Sequence, residues 1–455
     1  MPPTFQAPPG TRDFFPVDMA LRRHIEDTWR KVSIRHGFLE VDGPTFEYLD
    51  LYKVKSGDEI VSQLFHFESR GDQSGKSNTF ALRPEFTPTL ARMVAAKANA
   101  LPRPIKWFSV PRCYRAERQQ KGRLKEFIQW NVDMLGGETP ELRRQFDLEV
   151  AALAVDCLRE FGLGNGEAQL LWNDRSLVER LFELGGVAKE RYAFAFYFLD
   201  RIAKLSPEQR TKLYTDNAVT DRERTFFEKL AAGQDPLQFA FWEGLGGEGG
   251  AGDYEAYVAA IRDTQKNVES TLSLMGLPGY AKYDASIVRG LAYYTGFVWE
   301  ISDFKGNRAV AGGGRYDKLI EMFGGPSLPA TGFGMGDVVL AIVLAESGKM
   351  PKSFANAGGG ADVYVVNALD TSDETTKLLA QLRAAGLAAI TSYKATKNIG
   401  KLLQDASASG AKIAMILAPA EFERGVVKLK DLTSREEREV AVGEVVAALS
   451  GNRAP

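Results

Sequence analysis

A glycine-rich stretch near residue 350 divides the chain into two regions with different sequence patterns. It contains Gly348, Pro351 and the run Gly358-Gly359-Gly360, which is typical of a linker. After it, short apolar strand-like segments alternate with helical segments over residues 363–417. Such alternation predicts a small α/β domain with parallel strands. We therefore predict a first domain over residues 1–345, a linker over 346–360 and a second domain over 361–455.

The first region combines strand-like segments with a helical block. Apolar, strand-like sequence stands at residues 105–110, 127–135 and 285–288. Between about residues 172 and 275, helical periodicity dominates instead. The fold class we expect is α+β: a mostly antiparallel sheet with a helical insertion, followed by the small α/β domain.

Composition excludes several classes of protein. The net charge is only −2, so any nucleic-acid surface must be local. Two cysteines cannot form a thiolate metal cluster, and we predict no bound metal ion. The three histidines lie outside the polar clusters described below, which argues against a Ser-His-Asp or metal-histidine hydrolase. We find neither a signal peptide nor a run of about 18 apolar residues, so we expect a cytoplasmic protein without a membrane span.

A cluster of charged residues lies between two of the strand-like segments. Arginine forks bind phosphate oxygens in pairs and lysine adds a point charge, so such a hairpin suits a polyphosphate. A solvated basic turn explains the same composition equally well. The cluster consists of Arg112, Arg115, Glu117, Arg118, Lys121, Arg123 and Lys125.

Two polar residues on the segment after this cluster are predicted to share a face. Gln129 and Asp133 are four positions apart, and alternate residues of a strand point to the same side. Glu85 and Thr87 lie in a second polar segment, residues 83–87. A carboxylate in a pocket could hold an ammonium group, since a buried charge needs a partner. Taken singly, each of these residues is better explained as a surface or salt-bridged side chain.

Residues 288–296 combine small and aromatic side chains and form a further candidate. Arg289 supplies charge, while Tyr293 and Tyr294 supply flat walls with a hydroxyl group. Core packing is the alternative explanation for the two tyrosines. Glycine runs follow at residues 312–314 and 332–336, where small residues let the backbone approach a ligand closely.

Taken in order, these segments resemble the motifs of class II aminoacyl-tRNA synthetases, and specifically of the histidyl-tRNA synthetase family. Residues 10–16 and 37–44 are similar to the family's opening and to its dimer-forming first motif, and residues 114–123 to its second motif. Residues 82–85 and 289–294 are similar to its two histidine signatures, and residues 313–317 and 332–336 to the segments leading into its third motif. The region after the linker resembles the family's anticodon-binding domain.

The resemblance implies a function and a set of roles. It implies that ATP, accompanied by Mg²⁺, activates histidine to histidyl-adenylate, and that a homodimer transfers the histidyl group to tRNA(His). Arg115 and Arg289 would be catalytic and, with Glu117 and Arg123, would bind ATP. The histidine would be held by Glu85, Thr87, Gln129, Asp133, Tyr293 and Tyr294.

One position departs from the family pattern in a way that concerns ATP. Val339 stands where the third motif normally has an arginine that touches the γ-phosphate. Other cations could supply this charge, and the candidates are Arg118, Arg123, Arg308 and Arg315.

Two alternatives follow from the same resemblance. A regulatory subunit of ATP phosphoribosyltransferase binds histidine without charging RNA, but it usually lacks the second domain and the arginines of the second motif. An inactive tRNA-binding protein is favoured by Val339.

Lysines of the second domain are candidates for RNA contact. Lys394, Lys397 and Lys401 are spaced three and four residues apart, which would place them on one face of a helix that begins nearby. A plain solvated helix face is the alternative.

Overall fold

The chain forms two compact units, of which the larger comprises residues 1–13 and 25–350 and the smaller residues 14–24 and 351–455. The computed structural model describes residues 5–56, 58–69, 78–117, 122–201, 205–245, 251–287, 294–303, 305, 309–351 and 360–450. Within these residues, no helix is both long and apolar enough to cross a bilayer.

The strands before residue 350 are β1 (Leu39–Glu40), β2 (Phe46–Tyr48), β3 (His66–Glu68), β4 (Thr79–Leu82), β5 (Ile105–Ser109), β6 (Arg112–Tyr114), β7 (Glu126–Leu135), β8 (Ala168–Asp174), β9 (Ala281–Tyr283), β10 (Phe297–Asp303), β11 (Ala311–Arg315) and β12 (Ala330–Gly336). The helices in this part are α1 (Pro16–Arg35), α2 (Leu49–Ser56), α3 (Thr87–Lys97), α4 (Pro140–Glu160), α5 (Arg175–Leu184), α6 (Tyr192–Arg201), α7 (Pro207–Asp216), α8 (Asp221–Ala231), α9 (Phe239–Trp242), α10 (Ala251–Leu274), α11 (Leu319–Met322) and α12 (Asp337–Glu346).

A mixed but mostly antiparallel sheet forms the centre of the larger unit. Its strand order is β1-β5-β7-β12-β11-β10-β8-β9, and β6 pairs with β7. Only the β1–β5 and β8–β9 pairs are parallel among these neighbours. The predicted antiparallel sheet is therefore confirmed.

One face of this sheet is covered by α4. The helix begins at Pro140, directly after Thr139, whose hydroxyl oxygen accepts a hydrogen bond from the backbone N–H of Leu142. Its central segment is buried and rich in alanine and valine, so the helix approaches the sheet closely. On the same side, Trp130 of β7 stacks on Trp29 at 5.9 Å between ring centroids. Because side chains alternate along a strand, the neighbours of Trp130 point to the opposite face.

The helical insertion lies between β8 and β9 and contains α5 to α10. Two of its helices begin with complete capping boxes, formed by Ser206 with Gln209 and by Thr220 with Glu223. These reciprocal hydrogen bonds satisfy backbone donors that a helix start otherwise leaves unpaired. The insertion's core is aromatic, with Phe182, Phe196, Phe198, Phe226 and Phe227 all buried.

The strand predicted at residues 285–288 is wrong. The strand in this region is β9, which ends at Tyr283, and residues 285 and 286 form a turn. The carboxylate of Asp284 accepts hydrogen bonds from the backbone N–H and the hydroxyl of Ser286, which stabilises the turn over an extended conformation. Residue 288 lies outside the described residues.

A separate three-stranded sheet, ordered β2-β4-β3, presents aromatic side chains to solvent. Phe46, Tyr48 and Phe67 are each more than two-fifths exposed, and all three contact Phe80 at centroid distances of 5.1–5.9 Å. Such a contiguous exposed apolar surface is typical of an interaction site.

The smaller unit contains a five-stranded sheet ordered β14-β13-β15-β16-β17. Its strands are β13 (Val363–Asn367), β14 (Ala389–Thr391), β15 (Ile413–Leu417), β16 (Val426–Asp431) and β17 (Glu437–Ala441), and the helices among and after them are α13 (Asp373–Ala384), α14 (Ile399–Ala408), α15 (Pro419–Glu423) and α16 (Val445–Ser450). The first three strands are parallel, as the alternating pattern predicts. The antiparallel β16 and β17 extend the sheet beyond that prediction.

Candidate active site

A cavity of about 710 Å³ lies over the sheet face opposite α4. Strands β7, β10, β11 and β12 contribute residues to it, together with the β6–β7 loop and the first turn of α12. Among its lining residues, those with polar or charged side chains are Arg115, Arg123, Gln129, Tyr294, Glu300 and Ser302.

Glycines of β12 make room for the polar side chains of β7. A methyl group at Gly332 would overlap the carboxylate of Asp133, and one at Gly334 would lie 2.8 Å from Nε2 of Gln129. Gln129 and Asp133 therefore lie on the same face of β7, in space that any larger residue on β12 would occupy. The glycine run at residues 332–336 thus has a steric role in shaping this surface.

Asp133 is buried and accepts a hydrogen bond from the hydroxyl of Tyr316, which follows β11. The bond joins residues 183 positions apart in the sequence. A charge-assisted hydrogen bond of this kind fixes the carboxylate in one orientation.

Arg115 lines the cavity at the start of the β6–β7 loop. Its Nε donates to the carbonyl oxygen of Pro84 at 3.3 Å, and its guanidinium lies 5.0 Å from the ring centroid of Phe127. The backbone N–H of Arg115 donates to the carbonyl oxygen of Lys125 across the loop. These contacts hold the arginine at the mouth of the loop with its charge directed towards the cavity.

Glu117 and Arg123 form an ion pair across the same loop. Arg123 also lines the cavity, whereas Arg112 is paired with Glu126 and half-exposed. Arg118 and Lys121 lie outside the described residues. The described part of the cluster is therefore a structured hairpin with two arginines on the cavity, which a plain solvated turn does not require.

Glu85 and Thr87 lie at the start of α3, and both are partly buried. The loop that carries them is held by the buried Arg83, which donates to the carbonyl oxygens of Arg112 and Gly43 at 2.8 and 2.9 Å. Glu85 directly follows Pro84, whose carbonyl oxygen accepts the hydrogen bond from Nε of the cavity-lining Arg115. The start of α3 therefore lies next to the cavity wall.

Tyr294 is the member of the tyrosine pair that the structure describes, whereas Arg289 and Tyr293 lie outside the described residues. Its ring lines the cavity and occupies space left by Gly314, where a methyl group would lie 2.9 Å from the ring. Burial, followed by the charges of Glu85, Asp133 and Glu300, raises the pKa of Tyr294 well above its usual value. Its hydroxyl group can donate a hydrogen bond.

Glu300 and Ser302 line the cavity but are absent from the sequence-based set. Glu300 pairs in register with Gly312, and Val298 with Gly314, so alternate residues of β10 face the glycine-rich surface. Alternation along residues 297–303 could have identified them. Within the described residues, no group of three or more histidine, cysteine, aspartate or glutamate side chains is placed to hold a metal ion.

Val339 is buried on α12 and contributes to the cavity wall. Of the cations considered as substitutes for an arginine there, Arg315 is excluded because its guanidinium is buried and bonded to Asp147 and Asp317 at 2.9–3.0 Å. Arg118 and Arg308 lie outside the described residues. Arg123 is the candidate that lies on the cavity.

The helix face predicted for the three lysines of the smaller unit is wrong. Asn398 caps α14 by accepting a hydrogen bond from the N–H of Lys401, so the helix begins at Ile399 and Lys394 and Lys397 precede it. Lys394 is paired with Asp405 at 2.7 Å, and Lys397 is paired with Asp370. The lysines instead occupy the region that follows the carboxyl end of β14.

Tyr393 in that region is 93% exposed and was not identified from the sequence. Its loop has a defined conformation, because the hydroxyls of Ser392 and Thr396 accept hydrogen bonds from the backbone N–H groups of Lys394 and Asn398. A flat ring presented to solvent beside lysines is suited to stacking on a nucleic-acid base.

Comparisons with known proteins agree with this architecture. A family model described as histidyl-tRNA synthetase matches residues 10–336, and one described as an anticodon binding domain matches residues 362–452. The chain is 41% identical to the histidine–tRNA ligase of Opitutus terrae, with 98% of each chain covered. It is 33% identical to that of Natronomonas pharaonis, covering 95% of this chain and 94% of the relative.

A solved structure has the same fold. The histidyl-tRNA synthetase of Nostoc sp. PCC 7120 superposes with a TM-score of 0.74 at 22% identity and covers 99% of this chain and 100% of its own. The family model and the full-length relatives confirm the resemblance drawn from the motifs, and the chain belongs to the histidyl-tRNA synthetase family of aminoacyl-tRNA ligases.

Proposed function

We propose that the chain is a histidine–tRNA ligase whose cavity binds ATP and histidine side by side along β7. The observation that carries this proposal is the separation of charge along that strand. Arg115 and Arg123 lie by its beginning, where a polyphosphate would be held, and Asp133 lies near its end, two strands from the Gly314 that the ring of Tyr294 covers. A nucleotide and an amino acid need such an arrangement to meet through the phosphate and the carboxylate.

We assign to the individual residues the roles that the family resemblance implies. Arg115, beside the start of β7 and bonded to the carbonyl oxygen of Pro84, would bind the α-phosphate and the histidine carboxylate, and Arg289 would add a second cation. Glu117 would set the position of Arg123 beside ATP. Gln129 would act together with Asp133, Glu85, Thr87, Tyr293 and Tyr294 to hold the ammonium group and the imidazole ring.

The chemistry requires positioning more than a covalent nucleophile. A carboxylate oxygen of histidine attacks the α-phosphorus of ATP, the bond to pyrophosphate breaks, and histidyl-adenylate forms. A hydroxyl of the terminal ribose of tRNA(His) then attacks the acyl carbon, and AMP leaves. Mg²⁺ would enter with ATP, and since such an ion is usually held by one or two carboxylates together with phosphate oxygens, Glu300 on the cavity wall would be the residue to hold it and the ion would neutralise phosphate charge.

Histidine-dependent ATP–pyrophosphate exchange tests this proposal. Exchange with histidine, followed by charging of a tRNA(His) transcript, is the expected result. Histidine binding without exchange would identify a regulatory paralogue. Binding of tRNA without exchange would identify an inactive tRNA-binding protein, the alternative to which Val339 points.

We further propose that the enzyme is a cytoplasmic homodimer joined through the aromatic face of the β2-β4-β3 sheet. Its exposed rings, described above, are an area that a second copy could cover. Sedimentation of the unmodified protein should give the mass of a dimer, and Phe67→Glu should shift it towards the monomer. A monomer at micromolar concentration would contradict the proposal.

We assign catalysis to residues 1–345 and anticodon binding to residues 361–455, with residues 346–360 as the linker. In the second domain, Lys394, Lys397, Lys401 and Tyr393 would contact tRNA. They follow the carboxyl end of β14, the edge at which ligands bind in parallel α/β sheets. The ion pairs of Lys394 and Lys397 are exposed and therefore weak, so a phosphate could replace the aspartates.

A further inference from the structure

We propose that Arg175 is a positioning residue for the histidine site. Arg175 holds the backbone at Tyr294 and connects that wall of the cavity to the helical insertion. The inference rests on the proposed function, because Tyr294 is assigned to the histidine pocket there. Arg175 itself is not among the residues that line the cavity.

Two hydrogen bonds connect Arg175 to the segment that carries Tyr294. Arg175 is the first residue of α5, directly after β8, and its backbone N–H donates to the carbonyl oxygen of Gly296 at 3.0 Å. Its Nη1 donates to the carbonyl oxygen of Tyr294 at 3.3 Å. Since Asp174 is paired with Phe297, the first residue of β10, these bonds continue the β8–β10 pairing into the segment before β10.

The guanidinium of Arg175 is oriented by the insertion on its other sides. Its Nε donates to Glu179 at 2.8 Å, one turn further along α5. Its Cζ lies 4.3 Å from the ring centroid of Phe196 on α6, a contact with favourable cation–π geometry. Phe196 is itself buried and packs edge-on against Phe182 at 4.9 Å. The insertion therefore fixes the direction in which Arg175 donates.

Because the ring of Tyr294 lines the cavity, a backbone held by Arg175 also holds part of the cavity wall. The ring of Tyr294 fits the space above Gly314 closely, so a shift of its backbone must move the ring or strain that contact. Gly314 pairs in register with Gly332, and Gly332 with Asp133, so the ring lies over the row of the sheet that carries a carboxylate assigned to histidine. Loss of Arg175 should thus weaken histidine binding while the loop that carries Arg115 and Arg123 stays in place.

The test compares Arg175→Met with the matched control Arg180→Met in ATP–pyrophosphate exchange. Arg180 lies on the same helix and pairs with Glu183 near the surface. We expect Arg175→Met to raise the KM for histidine about tenfold, as for one lost hydrogen bond from a charged donor, and to leave the KM for ATP within about twofold. Arg175→Lys, which retains a donor and a charge, should restore part of the loss. Arg180→Met should behave as the unmodified protein does.

A double variant separates positioning from general stability. In a Tyr294→Ala background, Arg175→Met should change the KM for histidine no further, because the two residues act through one another. Additive effects, or equal rises in both KM values, would overturn the inference, and so would an unchanged KM for histidine in Arg175→Met. If Arg175→Met does not fold, Arg175→Lys is compared in the same two backgrounds. If Tyr294→Ala alone leaves the KM for histidine unchanged, the proposed pocket fails instead.

Discussion

Single glycine-to-alanine changes along β12 test the floor of the cavity. Gly332, Gly334 and Gly336 alternate on one face of the strand, but an added methyl group meets different atoms at each. At Gly336 nothing lies within 4 Å. At Gly334 the neighbour is the flexible amide of Gln129, at 2.8 Å, which can move aside.

The change at Gly332 is the most severe of the three. Its methyl group would overlap the carboxylate of Asp133 and would lie 2.6 Å from the carbonyl oxygen of Val132. The backbone oxygen cannot move without disturbing the β7–β12 pairing. We therefore expect both displacement of Asp133 and a loss of stability of about 1–3 kcal/mol, as is typical of overpacking.

These contacts predict an order of effects on the KM for histidine in pyrophosphate exchange. Gly336→Ala should leave it unchanged. Gly334→Ala should raise the KM for histidine about threefold to tenfold, which corresponds to the loss of one neutral hydrogen bond. Gly332→Ala should raise it by about tenfold to a hundredfold, since a charge-assisted hydrogen bond is lost. Equal KM values for Gly332→Ala and Gly336→Ala, measured on folded protein, would refute the assignment of Asp133 to histidine.

Three further changes test other parts of the molecule. Arg289→Ala should keep the fold and lower the rate of exchange by about 10²–10³, as expected for loss of a preorganised charge, and near-normal exchange would contradict its role. Asp147→Ala should lower the free energy of unfolding by about 3 kcal/mol or more, because it leaves Arg315 buried with one carboxylate fewer. Chemical denaturation followed by tryptophan fluorescence measures this free energy. A loss below about 1 kcal/mol would show that the ion pair is dispensable. Charge reversal of Lys394, Lys397 and Lys401 should weaken charging of tRNA(His) and reduce the salt dependence of charging, while pyrophosphate exchange stays intact. Unchanged charging would show that these lysines form only a solvated surface.

Periodicity along single segments was sufficient to predict much of this structure. The two-residue repeat placed Gln129 and Asp133 on one face of a strand, and the structure places them so. Alternation of strands and helices predicted the three parallel strands of the smaller unit. Each of these inferences depends only on neighbours within a few residues, where the geometry of the chain dictates which side chains are adjacent.

Contacts between distant segments could not be predicted in this way. The ion pair of Arg315 and Asp147 joins positions 168 residues apart, so the sequence offered Arg315 as a cation for ATP although it is already neutralised. The start of α14 depended on which residue caps it, since Asn398 rather than the lysine spacing determines where the helix begins. Charge spacing predicts a helix face only after the boundary of the helix is known.

The distribution of ion pairs decides which arginine can bind an anion first. Among the described residues, Arg115 contacts a carbonyl oxygen and an aromatic ring and is paired with no carboxylate, so an incoming phosphate need not displace one. Arg123 must leave Glu117, but that pair is partly exposed and its loss costs about 1 kcal/mol or less. Since Val339 provides only an apolar wall, we expect Arg123 of the hairpin, which lies on the cavity, to supply positive charge at the far end of the polyphosphate. Arg115 is therefore suited to the α-phosphate at the centre of the reaction, and Arg123 to the phosphates that leave as pyrophosphate.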